Sequence, residues 1–466
     1  MPQQNVRSII IPDELICISD DEDMTITKLG ELIAKHKNLI TNRYKVLKDA
    51  YMNMYPNLTW QDKEDWKPDN RVTVNFAKYL VDTFNGYFIG IPIKVKSDDK
   101  KVTDYLDMLD SYNDIEDNNA ELSRFCSIYG KGYELYTNGE SGDVSIFHLD
   151  PTQGFMVYDN TYEQHPRYFV TYYYDSKKIM HGSVLTQTDV WPFTDDGGLH
   201  YLEDEFRPHN FSDVPATEFL ENESRMAVFE SVYSLIIGYN KALSEKLNDV
   251  DAFADAYLKI LGPELTNEML RDMRDHRVIS FKGDMSESPV EVGFLEKPNA
   301  DGTQENALNR MERLIYQVSM IANINDENFG NSSGIAMAYK LQSMSNLAKA
   351  KERKFTPGLN RRYRIIFSNP VNSMTESDWI RLSYHFTRNI PQNLFEETQI
   401  AQNLSGIVSQ PTQLSVLSIV DDPQKEIERI DEEQQEKNDA IVNQFFGNNP
   451  VYPNQGQEVG KDEQEQ

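Results

Sequence analysis

Residues able to do covalent or metal chemistry are plentiful in this chain, but their spacing assembles none of the common sites. A nucleotide-binding loop needs Gly-x-x-x-x-Gly-Lys-Ser/Thr, so that backbone amides and a lysine cradle the phosphates. The nearest approach is Gly130-Lys131-Gly132, which lacks the upstream glycine and the hydroxyl residue. His36, His148, His165, His181, His200, His209, His276 and His385 are scattered, and none forms a His-Glu-x-x-His pair or another ligand spacing. No nucleophile elbow is expected. Acidic pairs such as Asp249 with Asp251 and Asp421 with Asp422 read as solvated faces, because a glycosidase needs two carboxylates across a cleft and sequence spacing does not show that. With only Cys17 and Cys126, disulfides do not hold the fold and cysteine metal clusters are excluded. The chain therefore reads as a non-enzyme with no catalytic residue, cofactor or metal, a carboxylate-dependent hydrolase being the enzymatic alternative.

The elements that would position any site come from an ordered chain. Hydrophobic residues make up 39% and aromatics 11%, with 25 Tyr and 22 Phe, too much apolar material for disorder. A length of 466 residues predicts about two to four structural units. The longest apolar run, Val232 to Tyr239, is far short of a membrane helix, and Met1 to Val6 lacks the basic-then-apolar order of a secretory signal. Assembly in a reducing cytoplasm fits, without a membrane. The formal charge of −29 argues against ordinary nucleic-acid binding, which uses a basic patch to displace counterions. It suits either simple solubility or a conduit whose acidic wall repels a sliding polyanion.

An acidic leader holding Asp20 to Asp23 precedes a helical pattern from Thr25 to Met54 with Leu29, Leu32, Ile33, His36, Leu39, Ile40 and Tyr44 on one stripe. Asn70 to Pro92 reads as a helix that ends at glycine and hands over to a strand. Val102 to Tyr129 is helical, and short strands follow at 130–136, 145–149, 154–158, 168–174, 179–185 and 187–193. From Ser224 the period becomes helical again: Val228, Val232, Leu235, Tyr239, Ala242, Leu243 and Leu247 predict one helix reaching Leu261, up to 38 residues and roughly 55 Å. A second helix, Thr303 to Ala322, faces it across an insertion with a short helix at 267–274 and strands at 278–281 and 290–295. Beyond Pro370 helices are predicted at 377–387, 396–404, 413–420 and 422–444.

Between the second long helix and the next lies Asp326 to Gly334, polar and holding two glycines, which predicts a mobile loop before a helix start. The helix runs from Ile335 to about Phe355, stopping before Pro357-Gly358. From Gly334 to Pro370 there are eight basic residues, Lys340, Lys349, Lys351, Arg353, Lys354, Arg361, Arg362 and Arg364, against the single acid Glu352. Most of these cations are expected to pair with acids of adjacent subunits or of the C-terminal helices. Lys340, near the loop, is the best candidate for a charge facing a sliding polyanion.

A Phe-Gly-Asn-Ser-Ser-Gly loop feeding an Ala/Met/Tyr-Lys-Leu helix, with the Asn70 to Pro92 block and the Leu149-Asp150-Pro151 turn, resembles the portal proteins of tailed bacteriophages, of the type found in phage SPP1. The resemblance implies an α+β portal fold: a leader and mixed α/β wing at 1–223, stem helix 1 at 224–262, a small α/β clip at 263–301 and stem helix 2 at 302–322. A tunnel loop at 323–334, a tunnel-lining helix returning to the wing at 335–370, an all-helical crown at 371–447 and a disordered acidic tail at 448–466 complete it. It implies a virion protein, a ring usually of twelve subunits at one capsid vertex, acting as head-tail connector and nucleating the procapsid with major capsid and scaffolding proteins. Such a ring docks the terminase large subunit, conducts double-stranded DNA in and out, and then binds a head completion or adaptor protein. Asn328, Phe329, Gly330, Asn331, Ser332 and Ser333 are its DNA-facing loop residues. A tail or baseplate adaptor ring is the alternative in the same class. Segment 50–57 and the clip depart from the family pattern, so the clip's partner stays inferred.

Overall fold

The computed structural model describes residues 10–64, 67–139, 142–254, 258–261, 291–294, 301–324, 334–372, 374–375, 377–390, 394–417, 419–420 and 422–446. Two compact units divide the chain, 1–389 and 390–466.

The first unit starts with a leader strand, β1 (Cys17–Ile18), and helix α1 (Ile26–Leu39), whose N-cap Thr25 accepts from the Lys28 amide. The single helix predicted to Met54 is interrupted by a π turn at Ile40–Tyr44 before α2 (Lys45–Tyr51). A π turn inserts one residue into the helical period, and here two consecutive side chains, Arg43 and Tyr44, are both buried. Helices α3 (Phe76–Ile89), α4 (Lys100–Asn113) and α5 (Ile115–Tyr129) follow, with β2 (Lys94–Lys96) between α3 and α4. Asp114 sits in the left-handed region at φ 48°, which lets α5 restart directly after α4.

Next come β3 (Lys131–Asn138), β4 (Val144–Leu149), β5 (Gly154–Asp159), β6 (Pro166–Tyr174), β7 (Met180–Leu185), β8 (Asp189–Thr194), β9 (His200–Tyr201), β10 (Arg207–Pro208) and β11 (Ala216–Leu220). One sheet runs β1-β5-β6-β7-β8-β10, with β9 also on β8; only the β1–β5 pair is parallel. A second sheet runs β11-β3-β4. Tyr133, Met156, Phe169, Leu185, Val214 and Ala216 form a core between the two.

His36 ties α1 to this sheet system. It is 1% exposed, its Nε2 lies 2.7 Å from the Pro151 carbonyl oxygen and its Nδ1 2.9 Å from the Tyr172 hydroxyl. The neutral imidazole fits both, donating through Nε2 and accepting at Nδ1. Burial pushes its pKa down to about 4. The unfolded chain therefore binds more protons than the folded one between about pH 6.5 and pH 4, and stability falls as pH falls through that window. Denaturant unfolding at pH 7 and pH 4.5 is expected to show a loss of about 3 kcal/mol in the parent that is missing in His36→Phe, because each pH unit crossed inside the window costs about 1.36 kcal/mol.

Two helices come next: α6 (Tyr233–Ala254) and its partner α7 (Asp301–Ser319). Helix α6 has 22 residues, so the predicted continuation to Leu261 does not occur. Leu258–Leu261 is instead strand β12, paired antiparallel with β13 (Glu291–Phe294), and the ladder supplies the backbone partners that a longer helix would have. The predicted helix at 267–274 and strand at 278–281 lie outside the described residues.

Helix α8 (Gly334–Phe367) runs 34 residues, roughly 50 Å, straight through the predicted stop at Pro357. An interior proline costs about 3 kcal/mol, and contacts on both sides of it outweigh that cost. Gly358 lies against the Phe219 ring, where a Cβ would come within 2.5 Å, while Leu359, Arg362, Tyr363, Ile365 and Ile366 are all buried beyond it.

The helix predicted at 377–387 is also absent. Asp378–Arg381 is a single 3₁₀ turn and Ser383–His385 is strand β14, paired with β2. Alternation explains it: Leu382 and Tyr384 pack on the core of Leu106, Ile366 and Phe367, while Ser383 and His385 are exposed. Residues 371–389 thus belong with the first unit rather than with the C-terminal helices. The second unit holds α9 (Leu394–Leu404), α10 (Gln410–Leu414) and α11 (Pro423–Phe446), with Gln413 donating to the Ala401 carbonyl at 2.8 Å. The tail predicted at 448–466 lies outside the described residues.

Candidate functional site

The basic run on α8 has a structural destination. Lys351 is buried, with Nζ 2.7 Å from Glu221 Oε2, 3.0 Å from the Ser123 carbonyl oxygen and 2.9 Å from Ser127 Oγ. The same ammonium stands 4.9 Å from the centre of the Phe88 ring, where the negative ring face adds attraction. Desolvation still dominates at Glu221, whose carboxyl is held above its ordinary pKa. Arg362 and Glu134 are both fully buried and paired through two nitrogens, Nε at 2.8 Å and Nη2 at 2.6 Å, with Asn119 Oδ1 taking a further bond from Nη2. Arg361 and Arg364 share Asp213 at 2.6 and 2.8 Å, and Lys354 pairs with Glu223. Lys351, Lys354, Arg361, Arg362 and Arg364 thus pair inside the same chain, with acids on or beside β3 and β11. This corrects the expected partners, placed in adjacent subunits or on the C-terminal helices.

The other three are exposed. Lys349 and Arg353 share a stripe with Tyr339, Gln342 and Asn346, at alternating steps of three and four residues along one helical face. Lys340 lies off that stripe and lines a cleft of about 660 Å³ between α7 and α8, together with Asn309, Glu312, Arg313, Tyr316 and Ser343.

The candidate loop residues Asn328, Phe329, Gly330, Asn331, Ser332 and Ser333 lie outside the described residues. Their flanks are fixed: Ile321 is buried, the Ile324 amide donates to the Tyr79 hydroxyl at 3.2 Å, and Met320 ends α7 with φ 62°. The letters Gly330-Asn331-Ser332-Ser333-Gly334 match a Gly-x-Ser-x-Gly spelling. A nucleophile elbow needs a strand running into the serine. Here the preceding described element is helix α7, so the expected absence of an elbow rests on context, not on spelling.

Sequence reasoning missed a set of buried polar groups on α6. Asn240, Ser244 and Asn248 are nearly inaccessible, whereas Leu247, assigned to the apolar stripe, is 37% exposed. The three face an extended strap, residues 70–74, and accept its amides: Asn70 to Asn248 Oδ1 at 2.5 Å, Val72 to Ser244 Oγ at 3.2 Å and Val74 to Asn240 Oδ1 at 2.8 Å. The readable signal was the four-residue spacing of Asn, Ser and Asn.

The lysine of Gly130-Lys131-Gly132 is taken up in the core. Lys131 is buried with Nζ 2.9 Å from Asp13 and 3.6 Å from Glu218. Among the described residues no three His, Cys, Asp or Glu side chains are grouped to hold a metal ion, and no helix is long and apolar enough to cross a membrane. Asp249 takes a hydrogen bond from Gln304 Nε2 at 2.8 Å and Asp251 one from Asn70, as stem surface groups do.

Two sheets flanked by helices, a helix pair with a two-stranded ladder, and a 34-residue helix packed on β11 make a mixed α/β fold. Residues 31–440 match the family model for phage portal protein, SPP1 Gp6-like. The portal protein of Bacillus phage SPP1 is 25% identical over 407 residues, covering 79% of this chain and 77% of that one. The portal protein of Clostridium phage phiCD119 is 22% identical over 375 residues, covering 74% of this chain and 80% of its own. A chain from the neck of an empty GTA particle superposes with a TM-score of 0.43 at 11% identity, over 73% of this chain and 89% of that one. The chain belongs to the SPP1 Gp6-like family of phage portal proteins. It is a non-enzymatic virion protein of the capsid vertex, the conduit through which DNA is packaged and ejected.

Proposed function

We propose that the chain works as a closed ring, of twelve subunits as is usual in this family, in which α6 and α7 form a barrel wall and α8 lines the passage. The observation that carries this reading is the division of labour on α8. Buried Lys351 and Arg362 lock one face of the helix to the wing, and the stripe of Tyr339, Gln342, Asn346, Lys349 and Arg353 on the opposite face is left for another molecule. Exposed apolar side chains on the stem, Leu247, Val250 and Val318, support burial against a neighbouring copy, since a ring interface needs an apolar centre. Lys349 and Arg353 join Lys340 as cations for phosphate, spaced widely enough to guide DNA without holding it. Asn328, Asn331, Ser332 and Ser333 offer uncharged hydrogen-bonding groups to the same backbone, with Phe329 and Gly330 beside them. In this reading the ring nucleates the procapsid with scaffolding and major capsid proteins. It then docks the terminase large subunit and later a head completion protein.

Native mass spectrometry at several concentrations tests the ring, and a chain that stays monomeric with capsid proteins present counts against it. For the passage, Lys349→Ala/Arg353→Ala and Gly330→Pro are expected to leave the ring intact and lower packaged DNA per head several-fold. Normal DNA content in both variants would remove stripe and loop from the mechanism.

A further inference from the structure

The strap-to-stem ladder is matched at both of its ends, and that matching has a physical purpose. Two residues of extended chain advance about 6.6 Å and four residues of helix about 6.0 Å, so strap amides at 70, 72 and 74 stay in step with side chains at 248, 244 and 240. A further rung in one direction would join residue 68 to residue 252; Pro68 has no amide hydrogen and Ala252 has no side-chain acceptor. In the other direction it would join residue 76 to residue 236; the Phe76 amide is already bonded to the Val74 carbonyl and Ile236 is apolar and buried. Donors therefore stop where acceptors stop.

The strap is also held by side chains from outside the stem. Asn57 Nδ2 donates to the Val72 carbonyl at 2.9 Å, Arg71 Nη1 to the Trp60 carbonyl at 2.8 Å, and Asn75 Nδ2 to the Tyr51 carbonyl at 2.9 Å. We propose that Asn240, Ser244 and Asn248 are positioning residues whose bonds to the strap fix the rotation and the axial register of the stem hairpin against the wing. Apolar packing is non-directional and tolerates a slip of one helical turn. The ladder does not: a slip of one rung places Ile236 or Ala252 opposite a strap amide and leaves that buried donor without a partner. A buried polar residue setting register at some cost in stability is the role played by a polar core position in a coiled coil.

The test uses the full-length assembled protein with Cys17→Ser. Nitroxide labels on cysteines placed at Ala307 on α7 and Asp104 on α4, both exposed, are diluted into unlabelled chains. The distance distribution is then read by pulsed electron resonance. The parent and the single variants Asn240→Leu, Ser244→Ala and Asn248→Leu are expected to give one narrow distance, because two rungs remain. The triple variant is expected to broaden or split, with a second population displaced by about one helical turn, roughly 6 Å, while its unfolding transition stays cooperative. If the triple variant fails to fold, Asn240→Ala/Ser244→Ala/Asn248→Ala, which also removes every rung, is read the same way. A parent-like single narrow distance in the ladder-free variant would show that apolar packing alone sets the register, and the proposal would fall.

Discussion

Arg362→Met is expected to destabilise the first unit by about 3–5 kcal/mol, the range for removing one partner of a buried ion pair. The cost comes from what is left behind. Glu134 is fully buried, and without the guanidinium its carboxylate keeps only the Tyr136 hydroxyl at 3.0 Å. Arg362→Lys recovers only part, because an ammonium cannot reproduce the two-pronged contact with Glu134 and the bond to Asn119. Glu134→Gln/Arg362→Met should be more stable than Arg362→Met alone, a positive coupling that chemical denaturation of the four chains reads directly. Equal stability of Arg362→Met and the parent would mean that the pair contributes nothing to holding α8 on β3.

Gly130→Ala is expected to be as severe. Gly130 caps α5 at φ +91°, and an added Cβ would stand 1.9 Å from the Arg225 carbonyl oxygen. That carbonyl accepts from Arg43 Nη2 at 2.7 Å, and Arg43 also holds Glu230 and the Ile11 carbonyl. Pushing it aside disturbs the joint between leader, wing and stem base. Conformational strain of about 1–2 kcal/mol plus the displaced backbone should exceed about 4 kcal/mol. Gly197→Ala is the control, since Gly197 also has positive φ but faces open space, and it should cost no more than the strain. Comparable denaturation midpoints for the two alanine variants would show that the Arg225 contact is soft.

What the sequence made legible followed from local pattern. Leu29, Leu32 and Ile33 announced α1, and the Tyr-rich alternation after Asp150 announced the sheet, because periodicity is a property of neighbours in the chain. The failures lie where distant contacts overrule neighbours. Pro357 is a helix stop by propensity, and the Phe219 ring, the buried Leu359, Tyr363, Ile365 and Ile366 and the ion pairs of 361, 362 and 364 carry the helix past it. The end of α6 was set by strand β13, more than thirty residues away. Lys340 was singled out for nearness to the loop, yet helical geometry groups Lys349 and Arg353 on one exposed stripe and places Lys340 at the α7–α8 cleft. The partners of Lys351 and Arg362 were unreadable because charge counts say nothing about which acids fold against which helix.

Packaged DNA arrives with its own counterions, so a conduit subunit works against a changing ionic strength. Surface pairs such as Lys63 with Glu245 weaken as the Debye length shrinks from about 10 Å at 0.1 M to about 3 Å at 1 M. Lys351 with Glu221 and Arg362 with Glu134 are almost wholly inaccessible from the surface, where screening is weakest. The attachment of α8 to the wing should therefore be nearly blind to salt, so that the electrolyte crowding a filled head reaches the exposed stripe without loosening the helix that carries it.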